Sequence, residues 1–145
     1  MDQLPDTNVW LALTLKAHVH HAVALAWYKG VKHGQAVAFC RASQQSLLRL
    51  LTTEAVMRAY NRPALSNRQA WAIQREWEDG EQVRFAEEPP GLELPWEEFA
   101  CLKSPSPKLW MDAYLAAFAK AAGLHLVTTD KAFTQFHLPS LTVLE

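Results

Sequence analysis

Cysteine is scarce in this chain: two residues in 145, Cys40 and Cys101. Two thiols cannot build a four-thiolate zinc site or a disulfide-stapled secreted scaffold. Neither has the neighbouring His and Asp of a thiol nucleophile. Cys40 is expected in a buried strand and Cys101 on a helix face. Glycine is scarce too: five residues, scattered, with no phosphate-cradling loop, so NTPase and dinucleotide-binding readings have no support. No apolar run approaches the roughly 18 residues that span a bilayer. The first ten residues lack the basic stretch and long apolar core of a signal peptide. The expected location is the cytoplasm, without membrane attachment. Neither sign of charge dominates: 14 Lys and Arg against 15 Asp and Glu leave a net charge of −1. A polyanion would have to be met by a local basic patch or a metal ion.

What is present is apolar surface. Half the residues are hydrophobic and a fifth are charged, which excludes a disordered chain. One domain over residues 1–145 is expected. Leu4 before Pro5 ends a short strand, and Asp6-Thr7-Asn8 caps a helix through the apolar run at Val9 to Leu13. A helix over 20–32 follows from the spacing of Val23, Ala26, Trp27 and Val31. Residues 36–40 form a short apolar run suited to a buried parallel strand. Ser43 caps the next helix, and 53–60 is a further helical piece. Ser66 and Gln69 have the spacing of a capping box for a helix to Asp79.

Residues 82–86 read as a strand with Val83 and Phe85 on one face. Pro95 opens a helix through about Lys103, and Ser106 with Pro107 opens a long one to Ala122, closed by Gly123. Strands at 124–128 and 141–144 flank a short helical turn at 131–136. Strands alternating with helices predict an α/β fold: a three-layer α/β/α sandwich around a short parallel sheet.

Functional groups of such folds gather beyond the carboxyl ends of the strands. Asp6 follows the first strand and Asp130 the fourth, while Asp112 lies early in the helix leading to that strand. Asp6 and Asp130 each have an alternative role as helix caps. Asp112 is a charge in a largely apolar segment. Two carboxylates 4 Å apart repel by roughly 1 kcal/mol in water and about 4 kcal/mol at an effective dielectric of 20. A converging trio therefore calls for a cation, and all-oxygen ligands favour Mg²⁺ or Mn²⁺ over zinc. Such an ion suits phosphodiester hydrolysis.

Three segments carry a family resemblance. The opening from Leu4 to Leu13, with Asp6, Thr7 and Asn8, resembles that of PIN-domain ribonucleases, especially the VapC-type toxins of bacterial toxin–antitoxin pairs. Trp110 to Ala117, around Asp112, resembles the family's third acidic motif, and Leu126 to Phe133, around Asp130, its fourth. His18, His20, His21 and the helix after them resemble one VapC subgroup. The resemblance implies a PIN-like fold and an endoribonuclease dependent on Mg²⁺ or Mn²⁺. It also implies restraint by a cognate antitoxin and a homodimer. Asp6, Asp112 and Asp130 would be the metal-binding, catalytic acids. Thr7 or Asn8 would orient Asp6, and Thr128 or Thr129 would hydrogen-bond near Asp130.

One position departs from the pattern. Ser46 stands where the family usually has a Glu. Gln44, Gln45 or Ser46 could reach a metal through water, but a neutral group holds a cation less strongly. Glu54, two turns on, is expected on a solvated face. The alternative reading is thus a PIN-like module, weak or inactive in catalysis, that binds RNA or protein.

Arg41, Arg49 and Lys108 flank the acids and are candidates for RNA phosphates, against a reading as ordinary surface charge. Trp110 is a candidate base-stacking residue, although six tryptophans are mostly core or interface material. His18, His20 and His21 lack a partner carboxylate or thiol, so a helix-start or packing role is expected. A phosphoryl-transfer enzyme with Asp6 as nucleophile would want a second acid beside Asp6 and a placed Lys, and the chain has no such acid.

Overall fold

The computed structural model describes all 145 residues. Its elements run β1 (Gln3–Pro5), α1 (Thr7–Thr14), α2 (His21–Gly30), β2 (Val37–Phe39), α3 (Arg41–Leu51), α4 (Glu54–Arg58) and α5 (Asn67–Glu78). Then come β3 (Val83–Phe85), α6 (Glu93–Ala100), α7 (Leu109–Ala122), β4 (His125–Thr128), a 3₁₀ helix (Lys131–Phe136) and β5 (Leu141–Val143). The five strands make one sheet in the order β3-β2-β1-β4-β5. Every pairing is parallel, with Gln3 opposite Val37 on one side of β1 and Pro5 opposite Val127 on the other.

Period-two alternation sorts the strand side chains into two cores. Leu4, Ala38 and Leu126 pack toward α7, with Leu115 and Phe118. Val37, Phe39 and Val127 face the other way, onto Val9 and Trp10 of α1 and Leu47 and Leu51 of α3. Trp10 stacks on Phe39 with ring centroids 3.8 Å apart and meets Trp77 edgewise at 5.4 Å. Helices thus cover both faces, and the sheet is the middle of three layers, as the sequence predicts.

Several boundaries differ from the sequence reading. Helix α3 starts two residues before the expected cap: Cys40 is the N-cap, and Ser43 bonds back to it, accepting from the Cys40 N–H at 3.0 Å. Helix α6 begins at Glu93, so Pro95 sits inside the first turn, where its missing N–H is no loss. It ends at Ala100 rather than near Lys103, which leaves Cys101 as an exposed C-cap. Helix α7 begins at Leu109 with Lys108 as N-cap; Ser106 and Pro107 form only a preceding turn, closed by Leu109 N–H donating to Ser106 at 3.1 Å. Its end is as expected: Gly123 takes the left-handed conformation, φ 67°, which a side chain would resist. No helix is long and apolar enough to cross a membrane.

Candidate active site

The parallel register places the loops after β1 and β4 side by side at the carboxyl edge of the sheet. The Asp6 N–H donates to Val127 across that junction at 2.8 Å. Asp6 then caps α1, its Oδ1 accepting from the Val9 N–H at 3.0 Å. Its other oxygen accepts from the Thr128 hydroxyl at 2.5 Å. Thr128 Oγ1 in turn accepts from the Asp130 N–H at 3.0 Å, so one buried hydroxyl fixes both acidic loops. Asp130 caps the 3₁₀ helix through the Ala132 N–H at 2.9 Å and remains exposed. Asp112 projects half-buried from the first turn of α7.

Asp6 and Asp112 feel the charge of acidic neighbours. The Asp6 carboxyl, 5 % exposed, is pushed up to about 6, chiefly because burial strips its charged form of water. The hydrogen bonds from Thr128 and Val9 oppose that rise, and the charges of Asp112 and Asp130 add to it. Burial and the Asp130 charge likewise raise Asp112. None of the three is in an ion pair; the salt bridges join Arg58 to Glu54, Arg84 to Asp2 and Lys131 to Glu145. The cap role therefore does not exhaust Asp6: a cap without a countercharge leaves a buried carboxylate uncompensated.

No three or more His, Cys, Asp or Glu side chains stand ready to hold an ion between them. The donors suit a hard cation all the same. They are oxygen-only, and Mg²⁺ is commonly held by one or two carboxylates with water completing its shell.

The remaining candidates divide. Thr7 and Asn8 make no side-chain bond to Asp6; as the first two residues of α1 they sit half-buried and exposed, and the Val9 N–H and Thr128 do the orienting. Thr129 is half-buried, while its neighbour Thr128 carries both bonds. Ser46 is buried on α3 at 7 % exposure. Gln44 is committed elsewhere: it donates to Glu78 at 3.1 Å and accepts from Arg41 at 2.5 Å. Arg41 also lies over the Phe85 ring at 4.5 Å. Arg49 and Lys108 are exposed and unpaired. Glu54 is solvated, pairing with Arg58 at 3.0 Å. The histidines serve the α1–α2 turn: His18 accepts from the His20 N–H at 3.0 Å and stacks on Tyr60, and a His21 ring nitrogen lies 2.7 Å from the Ala12 carbonyl.

One pair has no signal in the sequence. Tyr114 donates to Glu88 at 2.8 Å, joining α7 to the loop after β3. Burial and the Glu88 charge push the Tyr114 hydroxyl well above its usual range. Both line a groove of about 700 Å³ between α3 and α7, together with Arg41, Ser46, Arg49 and Met111.

Residues 4–137 match the PIN domain family. The chain is 54 % identical over 134 residues to Ribonuclease VapC41 of Mycobacterium tuberculosis, covering 92 % of each. Among solved structures it is similar to VapBC-1 from nontypeable Haemophilus influenzae, with TM-score 0.70, 15 % identity and coverage of 99 % and 98 %. It is also similar to the Mycobacterium tuberculosis Sarcin-Ricin loop cleaving toxin VapC20, with TM-score 0.63, 19 % identity and coverage of 92 % and 94 %.

Proposed function

The chain belongs to the PIN-domain family, and from that premise we propose that it is an endoribonuclease, the toxin of a toxin–antitoxin pair. The reading rests above all on Asp6: a buried carboxylate, raised by burial and by two neighbouring acids, with no basic partner. Asp6, Asp112 and Asp130 would hold a Mg²⁺ or Mn²⁺ ion. When bound, such an ion activates water and offsets charge on a phosphoryl oxygen.

The chain's own residues prepare that chemistry. Thr128 locks Asp6 to the Asp130 loop. Arg41, Arg49 and Lys108 meet backbone phosphates and set the strand's position without reading its sequence. The similar protein named Ribonuclease VapC41 supports RNA as the substrate. A cognate antitoxin restrains the enzyme, which works in the cytoplasm as a homodimer.

The neutral Ser46 and the open arrangement of the acids favour one second reading, a PIN-like RNA- or protein-binding module without turnover. One assay separates the two. Purified protein is incubated with RNA and Mn²⁺ or Mg²⁺. Cleavage that stops on chelation, and falls at least roughly a hundredfold in Asp6→Asn, Asp112→Asn and Asp130→Asn, supports the nuclease. RNA left intact by a folded chain supports the module.

A further inference from the structure

Trp110 is 58 % exposed, the most open of the six tryptophans. Trp10 is fully buried, and the other exposed indole, Trp71, is less open and has one ring face covered by Arg75 at 4.9 Å. Trp110 is held from beneath: the Trp96 indole N–H donates to its backbone carbonyl at 3.1 Å. The two rings meet at 81° with centroids 6.5 Å apart. An edge contact occupies at most one face of an indole, so the other is free to receive a flat ring.

Trp110, Trp96, Met111 and Tyr114 line an apolar recess of about 340 Å³. Its wall residues Ala42, Met111 and Tyr114 also line the 700 Å³ groove of Arg41, Ser46 and Arg49. The two adjoin at those residues and together form a channel beside α3 and α7. Neither arginine is in an ion pair. The channel's one carboxylate, Glu88, accepts from the Tyr114 hydroxyl and keeps its charge, so the two arginines of α3 outnumber it. A cationic wall leading to an aromatic platform is the pattern that binds single-stranded nucleic acid.

We propose that Trp110 stacks on an unpaired base of the RNA strand while Arg41 and Arg49 hold its phosphates. The inference rests on the nuclease reading above. Residues two apart on a helix face different ways, so Trp110 does not overhang Asp112. Trp110 is thus a specificity residue and takes no part in the bond-breaking step.

The test uses the intact protein and a short, unstructured, fluorescein-labelled RNA of mixed sequence, bound in the presence of chelator. Trp110→Ala is expected to weaken binding roughly 5- to 150-fold, Trp110→Phe to restore most of it, and a duplex of the same sequence to bind poorly. Loss of stacking leaves the salt dependence intact, whereas Arg49→Ala reduces its slope by about one. With Mn²⁺ present, Trp110→Ala is expected to raise KM and leave kcat nearly unchanged. RNA affinity indifferent to Trp110, or a salt slope that falls with the indole, overturns the inference. Unchanged RNA affinity together with loss of self-association or of an antitoxin complex overturns it too, and assigns the recess to protein docking. Wild-type protein that cuts no RNA with Mn²⁺ sinks the nuclease reading; cleavage with an unchanged KM in Trp110→Ala sinks the stacking proposal alone.

Discussion

Replacing Asp6 by Asn is expected to stabilise the metal-free protein near neutral pH. The side chain keeps its shape, and Asn caps a helix as well as Asp, so the bond to the Val9 N–H survives. The substitution removes a charge that burial and two neighbouring acids make unfavourable. Raising the Asp6 carboxyl from 3.8 to about 6 corresponds to ~3 kcal/mol against the ionised folded form. Because the folded value lies above the unfolded one, the proton stabilises the fold. That contribution is fully present below about pH 3.8 and is lost as pH rises through 6. Wild type should therefore weaken across this window, while Asp6→Asn does so less. Allowing for a poorer fit to Thr128, the variant gains roughly 1–3 kcal/mol at pH 7–8, or roughly 3–10 °C in Tm. Urea unfolding followed by tryptophan fluorescence, with chelator, from pH 4 to 8, measures it. Mn²⁺ should then stabilise wild type but not the variant, by about 2.7 kcal/mol at a hundred times Kd. A variant less stable than wild type at pH 7.5, or a gap that ignores pH, would refute the reasoning.

Thr128→Val removes the hydroxyl that joins Asp6 to the Asp130 loop. It should cost about 1.5–3 kcal/mol at pH 8 and raise the Asp6 carboxyl further, read by denaturation and by NMR titration. Ser46→Glu restores a carboxylate where the family usually has one and should tighten Mn²⁺ binding roughly 5- to 30-fold, measured by calorimetry. Gln74 is fully buried with both amide atoms unpartnered. Gln74→Met should raise stability by about 1 kcal/mol, seen as a higher urea midpoint with unchanged slope.

The order of elements was legible because each boundary carries local chemistry. Ser66 and Gln69 form the reciprocal capping box that their spacing predicts. Asp6 caps α1 and Gly123 closes α7. Sequence and structure part where one residue type serves two positions. Ser43 has a cap's chemistry but acts from the third position of the helix, returning its hydroxyl to Cys40. Ser106-Pro107 has the composition of a helix start yet makes a turn. Strand order is absent from periodicity, since alternation says which face a residue takes and not which strand lies beside it.

The acids of the candidate site were legible as charges at strand ends and in an apolar helix. Their supports were legible only in part. Thr128 was a candidate beside Asp130, but its bond to Asp6 spans 122 residues and depends on β1 lying next to β4. The Glu88–Tyr114 bond depends on a similar juxtaposition, and neither residue has a sequence context that suggests the other. Arg41 lies beside Phe85 only because β2 pairs with β3.

The convergence of Asp6, Asp112 and Asp130 on one divalent ion is tested most directly by titrating Mn²⁺ and following free ion by electron paramagnetic resonance. Wild-type protein should take up ion at a site that Asp6→Asn, Asp112→Asn and Asp130→Asn each weaken severely while remaining folded. No uptake at millimolar Mn²⁺, or uptake unchanged in all three variants, would contradict the account.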